Sequence, residues 1–170
     1  KVHFSEIVRL LLLHKHGGLW VDSTVYCNKK LDEWLEFYIQ DGFFGFDGGR
    51  TITELDDRPI FSWFLYADKN NYIIKKWLYK LQDYWLERNE AHQYFYFHGL
   101  FGQLLKEDEK FKNMWMEISR RENINGYFHF CGCDFEQLSP RTIIEIKSGA
   151  PVFKLSLKAW SSKKYNKNCN

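Results

Sequence analysis

Two short stretches decide how this chain folds: Phe4-Ser5-Glu6-Ile7-Val8-Arg9, and Gly17-Gly18-Leu19-Trp20-Val21-Asp22-Ser23-Thr24. The spacing predicts an amphipathic helix over 5–16, a double-glycine stop, and a short buried strand over 19–22 that ends on an acid. Ile7, Leu10 and Leu13 supply the apolar side together with Phe4. Glu6 and Arg9 are three apart, so they share a helix face. Gly17 stands where a helix needs a left-handed residue to terminate, and Gly18 lets the chain reverse at once. The reversal carries Asp22 towards the helix end that holds Glu6 and Arg9, so two acids and a guanidinium can converge on one ligand. An acid at the carboxyl end of a buried strand is a common holder of a metal-bound diphosphate or a ribose. The same order also suits plain α/β architecture, with Asp22, Ser23 and Thr24 capping a following element.

A length of 170 residues suits one domain, residues 1–170, with room for a real core. Hydrophobic residues make up 45% and aromatics 19%, which excludes disorder. Flat rings also stack on sugar faces, although most of these rings are needed for a core. The formal net charge is +2, from 24 basic and 22 acidic residues, which is not a nucleic-acid-binding balance. One basic bias lies at the end, in Lys154, Lys158, Lys163, Lys164 and Lys167. Such a tail can meet an anionic membrane surface from the cytoplasmic side, or simply be solvated. Cys27, Cys131, Cys133 and Cys169 form no disulfide framework, and Cys131-Gly132-Cys133 is too tight for a zinc knuckle. Free thiols point to a reducing compartment, the cytoplasm. No apolar run approaches a membrane span, and no signal-peptide pattern is visible.

Further along, Leu31–Phe37 reads as a short helix, Gly42–Phe46 and Ile60–Tyr66 as strands, and Asn70–Glu87 as a long helix. Tyr94–Lys106 and Phe111–Ile118 read as two more helices, and 151–158 alternates like a late strand. His98 sits in the aromatic run Tyr94–Phe101, either as a satisfied core residue or facing a site. Asp47 and Asp57 are loop acids able to touch a ligand.

Ser5, Glu6, Arg9, Gly17, Gly18, Trp20 and Asp22 together resemble the nucleotide-sugar site of GT-A glycosyltransferases. The likeness is to the DXD-containing sugar transferases, glycosyltransferase family 32 and the capsular polysaccharide synthesis proteins related to them. It is strong over 4–26 and continues in character beyond, including the aromatic run before His98 and the Lys154, Ser156, Lys158 ending. Two positions depart from the sugar-transferase pattern: Glu6 stands where Asp is usual, and Thr24 where a second acid is usual, as in the Asp-x-Thr of the capsular branch.

The resemblance implies an α/β, GT-A-like (Rossmann-like) fold lacking its amino-terminal βα units, so the chain is expected to be a fragment. It implies a hexosyltransferase acting with retention, moving sugar from a nucleotide-diphosphate donor to a saccharide acceptor in capsular or other cell-surface polysaccharide synthesis. Asp22 and His98 are the expected catalytic residues. Donor binding falls to Glu6, Arg9, Gly18, Trp20, Asp22, Ser23, Lys154 and Ser156. Mn²⁺ or Mg²⁺ is expected on Asp22 and Thr24, and only with the donor bound, since one carboxylate leaves most ligand positions to water and phosphate. The competing class is a non-catalytic sugar-binding or scaffold domain derived from that fold. An enzyme with protein acceptors differs only in what it modifies.

Overall fold

The computed structural model describes residues 2–48, 59–121, 129–130 and 149–155. In chain order the elements are α1 (Val2–His16), β1 (Gly18–Val21), β2 (Val25–Cys27), β3 (Phe43–Asp47), β4 (Ile60–Ala67), α2 (Tyr72–Leu86), α3 (Tyr96–Glu107), α4 (Glu109–Arg121), β5 (His129–Phe130) and β6 (Val152–Leu155). The fold is mixed α/β, with two small sheets among the described residues. The chain divides into two compact units: Lys1–Val21 with Tyr38–Glu122, and Asp22–Phe37 with Asn123–Asn170.

In the first unit, α1 buries Glu6, Arg9, Leu10 and Leu13. Their spacing is i, i+3, i+4, i+7, one face of a helix. The polar pair therefore lies inside the core-facing stripe. Phe4, grouped above with the apolar side, points the other way and is 70% exposed. Gly17 ends the helix at φ +71°, its N–H donating to the Leu13 carbonyl at 2.9 Å, and Gly18 follows at φ +96°.

The sheet of this unit has the order β1-β4-β3, and both pairings are antiparallel. β4 is central and buried on both faces, which explains its near-continuous apolar run Ile60-Phe61-Ser62-Trp63-Phe64-Leu65. α2 begins at Asn71, whose side chain accepts the Ile73 N–H and donates to the carbonyls of Asp41 and Gly42. Ile73, Ile74, Trp77, Leu78, Leu81 and Tyr84 form its buried face. Trp77 stacks on Phe97 of α3 at 4.2 Å between ring centroids, and its indole N–H bonds the Phe97 carbonyl. Much of the aromatic content is thus core.

The second unit contains a mixed sheet, β2-β6-β5, in which β6 pairs antiparallel with β2 and parallel with β5. The short helix expected over Leu31–Phe37 appears instead as 3₁₀ turns at Leu31–Glu33 and Leu35–Tyr38. β2 and β5, unforeseen in the sequence, are three and two residues long, too short for a local period to show.

Candidate functional site

In the first unit, four elements bring polar groups together. The Arg9 guanidinium donates to the Ser62 carbonyl of β4 at 2.7 Å. Its Cζ lies 5.0 Å from the Trp20 ring centroid and 5.8 Å from that of Phe97, within cation–π range of both. Ser62 Oγ in turn lies 3.3 Å from His98 Nε2 of α3. Trp20 is placed for this by β1, where it pairs with Leu65 of β4. Arg9, Trp20, Ser62 and His98 therefore form one contiguous cluster.

Glu6 lies one turn before Arg9. It accepts the Tyr96 hydroxyl at 2.5 Å and lies 3.3 Å from His3 Nδ1. Burial pushes the Tyr96 phenol well above its ordinary range, and the adjacent Glu6 carboxylate adds to the rise. Glu6 and Arg9 are each 6% exposed, so both are already engaged from within the protein. A cavity of about 510 Å³ lies along α2 and α3, lined by Asp83, Tyr84, Arg88, His92, Gln93 and Tyr96 among others.

The second cluster is built on the turn Asp22–Val25, closed by the Val25 N–H donating to the Asp22 carbonyl at 3.0 Å. Asp, Ser and Thr suit such turns because short polar side chains fold back on the backbone. Asp22 and Thr24 come together on it, and β6 supplies the third group. Lys154 sits opposite Val25 in the β2–β6 register. Its Nζ lies 3.1 Å from Asp22 Oδ2 and donates to Thr24 Oγ1. The β6 segment is anchored where it enters, by the N–H groups of Asn28 and Lys29 on the Pro151 carbonyl and by Asn28 Nδ2 on that of Ala150.

Of the expected site residues, Glu6, Arg9, Trp20 and His98 lie in the first unit, and Asp22, Ser23, Thr24 and Lys154 in the second. Gly18 lies at the α1–β1 reversal, and Ser23 is an exposed turn residue. Ser156, Asp57, Cys131, Cys133 and Cys169 lie outside the described residues, as do Lys158, Lys163, Lys164 and Lys167 of the basic tail. Lys154, counted with that tail, is turned onto Asp22 rather than left to solvent. Two residues of the clusters, Ser62 and Tyr96, are not marked as site residues by the sequence. Ser62 shows as the small polar interruption of an apolar strand. Tyr96 is hidden among like aromatics and has no local signal.

The donor set bears on the expected divalent ion. Asp22 and Thr24, its expected ligands, both contact the Lys154 ammonium. Among the described residues no group of three or more His, Cys, Asp or Glu side chains comes together to hold a metal. A hard divalent ion takes six or so oxygen ligands and favours carboxylates. One carboxylate already paired with an ammonium does not fit it.

Residues 1–169 match the sequence pattern of the capsular polysaccharide synthesis proteins. The chain belongs to this family. Membership in the capsular polysaccharide synthesis family supports a role in polysaccharide synthesis. No curated protein and no solved structure matches the chain. Among the described residues of this family member, no helix is long and apolar enough to cross a membrane.

Proposed function

We propose that this capsular polysaccharide synthesis family member acts in a glycosyltransferase that moves sugar from a nucleoside-diphosphate donor to a saccharide acceptor. The fold would be GT-A-like and the compartment the cytoplasm. The observation that carries this reading is the Asp22–Thr24–Lys154 cluster, with a cation beside the strand-end acid. A leaving diphosphate needs a positive group at the oxygen where charge develops. Lys154 supplies one within reach of an acid suited to ribose or sugar hydroxyls.

In the transfer, the bond from the anomeric carbon to the diphosphate oxygen breaks and its electron pair leaves with the diphosphate. The acceptor oxygen bonds to the same carbon and gives up its proton. A general base takes that proton. Within the first unit, Arg9 lies within cation–π range of Trp20 and Phe97 as a fixed cation.

Hydrolysis and transfer assays with a panel of nucleoside-diphosphate sugars test this. Asp22→Ala is expected to lower turnover by at least about a hundredfold with the fold intact, as for loss of a group acting at the transition state. Unchanged turnover in that variant would remove Asp22 from the mechanism. Donor binding without turnover on any acceptor would favour the second reading, a sugar-binding domain. The burial of Glu6 and Arg9, bonded to Tyr96 and to the Ser62 carbonyl within the protein, is the observation on that side.

A further inference from the structure

We infer that the Lys154 ammonium takes the place of a divalent cation at the Asp22–Thr24 turn, so that a nucleoside diphosphate binds there without a metal. This rests on the donor-binding reading above and concerns which cation serves it.

Three features of the turn support it. Lys154 lies on the two positions where a metal was expected, 3.1 Å from Asp22 Oδ2 and bonded to Thr24 Oγ1. Its side chain is only 16% exposed, against 29% for Asp22. It does not arrive there on a loose tail: the strand register sets it opposite Val25, and the Pro151 and Ala150 carbonyls are tied to Asn28 and Lys29.

An ammonium has three N–H donors and no acceptor. Two are taken by Asp22 and Thr24. The third is directed by those two bonds and suits a phosphate oxygen, for which lysine acts as a point charge. Asp22 then holds the cation in place, a positioning role. A divalent ion entering the same turn would meet a fixed positive charge at contact distance and would find one carboxylate. Lys154 would have to be expelled first. Thr24 fits this arrangement: a hydroxyl accepts from lysine without adding the second negative charge that would draw a metal in. During transfer, Lys154 keeps its protons and hydrogen-bonds the diphosphate oxygen that receives the electron pair.

The test is calorimetry on the full chain with uridine and guanosine diphosphate, in chelator and in added Mn²⁺. Binding of either nucleotide is expected with affinities that differ by less than about threefold between the two conditions. Lys154→Met should weaken it by about tenfold or more, and Lys154→Arg should retain most of it. A parallel titration of Mn²⁺ alone should give no binding to the unmodified chain, and should give binding to the double variant Thr24→Asp, Lys154→Met. Nucleotide binding that appears only with Mn²⁺ would overturn the inference while leaving the glycosyltransferase reading standing. No binding of either nucleotide in either condition would overturn both. If Lys154→Met does not fold by circular dichroism, the chelator comparison on the unmodified chain decides alone.

Discussion

Tyr96 donates its hydroxyl to Oε2 of Glu6 at 2.5 Å, joining α3 to α1 across 90 residues of chain. Burial first, and the carboxylate second, hold the phenol neutral far above the usual range. A folded-state value raised in this way gives stability that is complete below the unfolded tyrosine value, about pH 10, and is lost as the pH rises past it. Tyr96→Phe should flatten that alkaline loss. At neutral pH it should cost about 1–3 kcal/mol, because the buried Glu6 loses a donor. Urea unfolding across the alkaline range checks both; equal pH slopes in the two proteins would contradict this account.

Arg9 should not tolerate lysine. A planar guanidinium both bonds the Ser62 carbonyl and lies against Trp20 and Phe97, and an ammonium cannot do the two together. Arg9→Lys is expected to lower stability by about 1.5–3 kcal/mol, the range for a hydrogen bond to a charged group. Denaturant midpoints read this directly. A loss below about 0.5 kcal/mol would show that the cluster is less rigid than these distances imply.

Asp108 caps α4. Its carboxylate accepts the Phe111 N–H at 3.0 Å, takes the Tyr72 hydroxyl at 2.8 Å and pairs with Lys76 at 3.0 Å. These groups, the Phe111 N–H foremost, lower its pKa to about 2. The stability it brings is present above the ordinary carboxylate value and is lost as the pH falls from about 4 to about 2. Asp108→Ala should cost about 0.5–2 kcal/mol at neutral pH as a lost cap. It should also remove part of the acid limb of a stability–pH curve, which thermal melts across that range would reveal.

Gly17 and Gly18 are both left-handed but should differ under substitution. A Cβ on Gly17 would come within 2.7 Å of the Lys69 backbone nitrogen, while one on Gly18 meets nothing within 4 Å. Gly18→Ala should cost roughly the 1–2 kcal/mol of the conformation alone. Gly17→Ala should cost clearly more, since backbone must shift. Comparison of the two melting temperatures tests the order, and a milder Gly17 variant would refute it.

The sequence alone determined what short-range chemistry dictates. The helical periods of α1 and α2, the double-glycine stop after α1 and the apolar run of β4 each depend on neighbours within a few residues, so they were readable from spacing. The apolar run placed the strand but could not say that both faces are covered, which depends on distant segments packing against the sheet, α1 and α3 among them. Only the tertiary structure decided that Glu6 and Arg9, rather than Phe4, belong to the buried stripe of α1. The same holds for the sites. Glu6, Arg9, Trp20 and Asp22 were marked by residue type and spacing, but their partners Tyr96, Ser62 and Lys154 stand 90, 53 and 132 residues from Glu6, Arg9 and Asp22. Such pairs are fixed by strand register and by the packing of helices on a sheet. Neither leaves a period in the chain, because the free energy that selects them is gained only when distant segments exclude water together.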